Sequence, residues 1–209
     1  MRSGQAKPVV AAFDFDGTLT RRDTLLPFLY RLAGPWGMAW RALLLAPTLL
    51  GYALRQLPND VAKEQVLHRF VAGMADEELK RQGQRYARHA LPAMLRFDAM
   101  TRLAWHRQQG HHCVLISASI EHYVGPWAAA NGFDEVLCTR LAVDGQGRLT
   151  GHFDGANCYG EEKARRLRAL LGQPEDYVIH AYGDSRGDRE MLAMADHPWF
   201  RRMPQGGAA

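Results

Sequence analysis

The run Asp14-Phe15-Asp16-Gly17-Thr18-Leu19-Thr20 follows directly on the apolar stretch Val9–Phe13. The apolar stretch reads as a buried strand, and the run places two carboxylates two residues apart at its exit. Residues i and i+2 of an extended backbone point the same way, so Asp14 and Asp16 face one small volume. A cation there would relieve their repulsion. The same layout suits a carboxylate nucleophile beside a carboxylic acid/base. Gly17 lets the backbone turn sharply, and neighbouring N–H groups can then be aimed at an anion. The plain alternative is a turn that ends a strand, since Asp and Gly are common turn residues.

Three further segments bear on that choice. Cys113–Ile116 is a short apolar run ending in Ser117-Ala118-Ser119, ahead of a helix predicted over about 121–130. A serine there can donate to a phosphate oxygen close to a helix N-terminus, or merely cap the helix. Lys163 lies in the first turn of a helix predicted to end near Gly172. It is one of only four lysines (Lys7, Lys63, Lys80, Lys163) among 26 basic residues, and Lys is a compact charge suited to a phosphoryl oxygen. An ion pair one helical turn away, or a solvated face, is its ordinary use. Finally, Tyr182-Gly183-Asp184-Ser185-Arg186-Gly187-Asp188 follows the strand-like run Tyr177–Ala181. Asp184 and Asp188 offer hard oxygens in a loop, which suits Mg²⁺, although Asp also favours helix starts.

Order and placement of these four segments closely resemble the haloacid dehalogenase superfamily of phosphohydrolases, over residues 8 to about 197. Roughly ninety helical residues, 21–110, stand between the first two motifs, where that superfamily inserts a C1-type helical cap. The segment Leu149–Gly155 ahead of Cys158–Lys163, and Thr20-Arg21-Arg22-Asp23-Thr24 after the first motif, resemble the phosphoserine phosphatase-like subfamily. The fold so implied is α/β, a Rossmann-like doubly wound parallel sheet with an inserted α-helical cap. Residues 1–20 and 111–209 form the core, and 21–110 the cap.

The resemblance assigns roles. Asp14 is the nucleophile that forms an aspartyl-phosphate, and Asp16 the acid and then the base. Ser117, Ala118 and Lys163 hold the phosphoryl group. Mg²⁺ takes Asp14, the Asp16 backbone carbonyl and Asp184, with Asp188 as ligand or support. A second Asp at position 16 favours phosphoryl chemistry over dehalogenation. The expected substrate is a small phosphorylated metabolite. Phosphoserine phosphatases carry a Glu where Asp23 stands here, and the carboxylate-binding Arg has only a loose match, Leu67 with Arg69 nearby. Asp23 and Arg69 are therefore the candidate specificity residues, with N-capping of the next helix as the alternative for Asp23. Gly187 stands where phosphoserine phosphatases carry Asn in the fourth motif. A lipid-like phosphomonoester, a phosphotransferase and a non-catalytic phosphate-binding protein remain alternative readings.

Composition fits a single core plus a small accessory unit: 209 residues, 47% hydrophobic and 23% charged. Cys113, Cys138 and Cys158 sit in unrelated segments without a CxxC, which points to a reducing, cytoplasmic setting and no disulfides. The net charge of +4 is spread along the chain, and no nucleic-acid motif occurs. Met1–Lys7 is short and polar, so no leader is expected. Pro204–Ala209 reads as a frayed tail, and Pro198–Met203 leaves room for one short edge strand. Within the cap, Ala42–Leu54 carries no charge but is too short to span a bilayer, and Pro47 is expected to kink it. A packed cap helix is the ordinary reading of that segment, and contact with a membrane or lipid the alternative. The histidines show no ligand spacing.

Overall fold

A computed structural model describes residues 7–204, so the expectations for the first six residues and for 205–209 lie outside it. The central sheet is parallel throughout, in the order β3-β2-β1-β6-β7. Its strands are β1 (Val9–Phe13), β2 (His112–Ile120), β3 (Glu135–Thr139), β6 (Val178–Gly183) and β7 (His197–Phe200). A hairpin, β4 (Leu141–Val143) and β5 (Leu149–Phe153), stands apart from it. The helices are α1 (Leu25–Ala53), α2 (Asn59–Val71), α3 (Asp76–His89), α4 (Phe97–Gln108), α5 (Glu121–Asn131), α6 (Glu161–Leu171) and α7 (Arg189–Ala193). The chain winds outward from β1 to β3, returns to β6 beside β1, and continues to β7. That reversal beside β1 makes the carboxyl ends of β1 and β6 the natural ligand crevice.

Side-chain alternation explains the layering. Val10 and Ala12 of β1 join Val114, Ile116, Ile179 and the buried face of α6 and α7 in one core. Ala11 and Phe13 face the other way, into a larger core with α4, α5 and the cap. Both faces of β1 are fully buried, as a central parallel strand requires. No described helix is long and apolar enough to cross a membrane.

The cap is α1 to α3. The chain leaves and re-enters the core through one antiparallel bridge, Thr20 to Leu95, where Arg21 N–H donates to the Met94 carbonyl at 2.8 Å and Arg96 N–H to that of Leu19 at 2.9 Å. A division at this bridge puts α4 with the core, in contrast to the sequence boundary at 110. The physical reason is α4's inner face: buried Arg102 and His106 bond the Tyr182 hydroxyl of β6 at 2.7 and 2.8 Å. A second difference concerns α1, whose non-helical residue is Gly34 (φ 68°) and not Pro47.

The start of α3 and its packing face brace the cap on the core. The hairpin supports the start of α3, with Asp76 N–H bonded to the Gly147 carbonyl at 3.0 Å and the Gly73 N–H to that of Leu149 at 2.8 Å. The other brace is α3 against α5, tied by Asp76 to His122 Nε2 at 2.8 Å. Gly83 makes that packing close: a Cβ on it would lie 2.0 Å from the His122 carbonyl oxygen.

Behind β6, His106 is fully buried with Nδ1 2.7 Å from His111 Nδ1. Arg102 Nε donates to the Tyr182 hydroxyl, which also lies 2.8 Å from His106 Nε2. Burial, with Arg102 and neighbouring histidines, pushes His106 down to about 2. Burial, with His197 and Arg102, pushes His180 down to about 4.

Two outcomes follow. Gly83→Ala is expected to lower stability by about 1–3 kcal/mol, the usual cost of overpacking, read as a lower urea midpoint at unchanged slope. An unchanged midpoint would show that α3 and α5 are not held at this distance. For the histidines, the unfolded chain takes protons below pH 6.5 while the folded chain does not, so their contribution is present above pH 6.5 and lost as pH falls through 4. Melting temperature should decline across that window, and less steeply in His106→Gln; equal slopes would remove His106 from the account.

Candidate active site

Asp14 leaves β1 with its N–H bonded to the Tyr182 carbonyl of β6 at 2.9 Å, which carries the pairing of the central strands one residue further. Gly17 then turns the loop at φ +83°, and Asp184 packs so closely over it that an added Cβ would sit 2.2 Å from a carboxylate oxygen. The first and fourth motifs therefore interlock through a residue that can have neither another backbone conformation nor a side chain.

Lys163, in the first turn of α6, is almost fully buried between two carboxylates, 2.5 Å from Asp14 Oδ1 and 2.6 Å from Asp188 Oδ1. Burial disfavours its charge, but Asp14 and Asp188 outweigh that and raise its pKa. The two acids separate. Burial pushes Asp14 up to about 7, against Lys163 and with help from Asp188. Asp188 is likewise buried, but Lys163 and the Ser185 hydrogen bonds hold it below the usual carboxylate range. One ammonium thus serves two carboxylates, and Asp188 keeps its charge more firmly. Its other oxygen accepts from Asp184 N–H, Ser185 N–H and Ser185 Oγ at 3.1, 2.9 and 2.8 Å.

Asp16 is held from the other side. Its Oδ1 accepts from Thr24 N–H at 2.7 Å and Thr24 Oγ1 at 2.6 Å, and its Oδ2 from Ser119 Oγ at 2.5 Å. Tyr123 donates to Ser119 at 2.7 Å, and Tyr86 to the Thr24 carbonyl at 2.9 Å. Burial, then the charge of Asp23, raise Asp16 to about 6 against these hydrogen bonds. Hydroxyl partners can accept as well as donate, so they accommodate both protonation states.

Carboxylate oxygens of Asp14, Asp184 and Asp188 lie within 4.8 Å of one another. Asp188 has both oxygens engaged, whereas Asp184 is held by Thr18 Oγ1 at a long 3.4 Å. Burial and Asp188 raise the pKa of Asp184. Lys163 supplies one positive charge against the three acids, so the donor set fits a hard divalent cation bound mainly by Asp14 and Asp184.

A cleft of about 520 Å³ opens above these groups. Its floor is Asp14, Asp16, Lys163 and Asp184, and its cap wall comes from α1 and α2. Asp23 lies at this cleft and also accepts Leu26 N–H at 3.0 Å, next to Thr24 at the start of α1. Ala118 and Ser119 reach the cleft; Ser117 is buried one residue back, its Oγ accepting Ser119 N–H at 3.0 Å. Arg69 is not brought there. It lines a separate cleft on the far side of α2, with Glu64, Gln65 and His68.

Sequence reasoning missed Lys63. From α2 it donates to the Ala118 carbonyl and to Asn157 Oδ1, the latter at 2.9 Å, and lines the catalytic cleft. Burial lowers its pKa to about 8, against the pull of Asp16 and Asp23. Its rarity as a lysine was the available signal, the same one that marks Lys163. The departure at Gly187 also has its reason here: a Cβ would stand 2.3 Å from the Tyr159 ring, which occupies that space at the cleft.

Gly17→Ala should leave a folded protein in which Asp184 is displaced. The expected result is at least about a hundredfold loss of divalent-metal affinity, at the upper end of what disturbed ligand support costs, measured by calorimetric titration. Retained affinity would mean that Asp184 is not a ligand.

The sequence pattern of the haloacid dehalogenase-like hydrolases matches residues 11–193. Protein CicA of Caulobacter vibrioides is 36% identical over 196 residues, 93% of this chain and 86% of that protein. A solved protein of unknown function from Bordetella pertussis Tohama I superposes with a TM-score of 0.78 at 25% identity, covering 90% of this chain and 87% of that one. A phosphoserine phosphatase solved as an analogue of its phospho-aspartyl intermediate gives 0.59 at 20% identity, covering 90% and 84%, a likeness of fold alone. With the matched pattern covering most of the chain, its interlocked motifs included, this protein belongs to the haloacid dehalogenase-like hydrolase family.

Proposed function

We propose that the chain is a Mg²⁺-dependent phosphomonoester hydrolase that works through an aspartyl-phosphate on Asp14. The observation that carries this reading is the buried Asp14–Lys163–Asp188 group at the floor of an open cleft, with Asp16 held separately beside it. A structural ion pair has no need of a further carboxylate, Asp16, at the same cleft two residues from Asp14.

The roles follow from the partners. Lys163 occupies Asp14 Oδ1, so Oδ2 attacks phosphorus. As the phosphorus–oxygen bond to the leaving group breaks, the Asp16 carboxyl gives its proton to the departing alkoxide. Asp16, now ionised, takes a proton from water, whose oxygen attacks the phosphoryl group and frees Asp14 and phosphate. Lys163 and the strand end at Ala118 hold the phosphoryl oxygens, with Ser117 fixing that strand end. Asp14, Asp184 and the Asp16 carbonyl would hold Mg²⁺, with Asp188 in support, and the ion would supply positive charge for the nucleophile and the transferring group. Thr24 and Ser119 keep Asp16 aimed in either state.

The cleft suits a small phosphorylated metabolite. Phosphoserine is disfavoured, because Arg69 lies outside the cleft and Lys63 and Arg22 supply the cations instead.

The test is phosphate release from a panel running from phosphoserine and histidinol phosphate to sugar phosphates and lysophosphatidate. Turnover should disappear with EDTA and return with Mg²⁺. Asp14→Asn should abolish it and Asp16→Asn reduce it by about 10²–10⁴-fold. No turnover on any ester by folded, metal-loaded protein would sink the hydrolase reading and favour phosphoryl transfer to an alcohol, scored by adding acceptors.

A further inference from the structure

The second part of α1 has its polarity reversed. A surface helix of a soluble domain turns apolar residues inward and polar ones to water. From Pro35 to Leu54, every exposed residue is apolar or aromatic, while Arg41 and Thr48, the polar residues of that stretch, are half-buried against α2. Arg41 Nε donates to the Arg69 carbonyl at 3.1 Å, and Thr48 Oγ1 to Gln65 at 2.5 Å. Outside stand Trp36 at 88% exposure, Trp40 at 61%, Leu43 at 65%, Leu50 at 60% and Leu54 at 58%. A contiguous apolar face of this kind marks a contact site.

We infer that this face of α1 docks on the surface of an anionic lipid bilayer. Charge is the first argument. The helix Leu25–Ala53 contains no acidic residue, and exposed Arg31 and Arg55 stand at the two ends of the apolar stretch. A second copy paired through this helix, parallel or antiparallel, would set arginine against arginine with no carboxylate of the helix between them. An anionic headgroup layer neutralises all of them. Width is the second argument. At ~100° per residue the outer apolar residues cover roughly 200° of the circumference, far more than the two-position seam of paired helices. A broad apolar face with aromatics and flanking arginines is the form of a helix lying in an interface.

Placement gives the docking a consequence. Leu49 and Tyr52, in the last turns of the same helix, line the catalytic cleft and are 45% and 46% exposed. The apolar face therefore runs to the cleft's edge, and docking would present the cleft mouth at the bilayer interface.

Flotation of the full chain with vesicles tests this independently of any turnover. The protein should float with phosphatidylcholine–phosphatidylglycerol vesicles, more weakly with phosphatidylcholine alone, and its tryptophan emission should shift to shorter wavelength. Trp40→Glu and Leu43→Glu should each weaken partitioning by about tenfold or more, with melting temperature unchanged. Trp36→Ser, at the most exposed position, provides a milder variant if either glutamate disturbs folding. No flotation with anionic vesicles, or flotation that all three variants leave intact, would overturn the inference. So would a stable dimer in sedimentation that the same substitutions split, which would assign the face to a second copy.

Discussion

Lys163 is the interaction on which the rest of the site depends. Two carboxylates from different strand ends, Asp14 after β1 and Asp188 after β6, converge on one ammonium that is 2% exposed. Taking such charges out of water is costly, and removing one partner of a buried set typically costs on the order of 3–5 kcal/mol because the others are left uncompensated. The sheet is thus joined at its switch point by a group that stabilises it only while complete. The same arithmetic leaves excess negative charge beside Asp184, which fits a cation and, next to it, a phosphoryl group brought by a substrate. Stability and chemistry draw on one imbalance.

How far the site could be read from the chain depends on whether its geometry is local. Asp14, Asp16 and Gly17 lie within four residues on a strand exit, and Asp184 to Asp188 within five, so backbone periodicity alone brings their side chains together. Ser119 and Thr24 come to Asp16 from 103 and 8 residues away, and only the fold sets which oxygen they meet. Ser117 and Ser119 were indistinguishable as a pair in sequence. The bulged register of β2 between Ser117 and Ile120 sends Ser119 to Asp16 and keeps Ser117 beneath it.

The cap shows the opposite limit. Along α2 the cleft takes Asn59, Ala62, Lys63 and Val66, a spacing of three and four residues that marks one helical face. Arg69 follows Lys63 by six residues, about 120° around the helix and about 9 Å along it, and lines the cleft shared with His68. Phase alone does not decide between the two cations, because Arg69 stands a full seven residues after Ala62 and so lies near the same face; its position about two turns further along α2, against His68, keeps it out of the cleft. The division between cap and core meets a related limit. Residues 97–108 are as helical as the cap, and the bonds of Arg102 and His106 to Tyr182, with Ala99 and Leu103 buried in the same core, tie them to the sheet.

The braces on the cap are unevenly placed, and that bears on α1. Asp76–His122, the close approach of Gly83 and the hairpin's bonds to Gly73 and Asp76 act on α3 and the end of α2, and Lys63 ties the middle of α2 to Ala118 and Asn157 at the cleft. The second part of α1 is held mainly by α2, through Leu45, Arg41 and Thr48, and it buries little of its own apolar surface. By area alone such a helix is weakly stabilised, since each leucine or tryptophan left in water forgoes about 1.5–3 kcal/mol of burial. Its alanines and leucines favour a helix while Gly37, Pro47 and Gly51 oppose one, and Gly34 separates it from the tightly buried turn at Leu25–Leu29. The fold thus keeps an apolar surface in register with the catalytic cleft without using it for its own core.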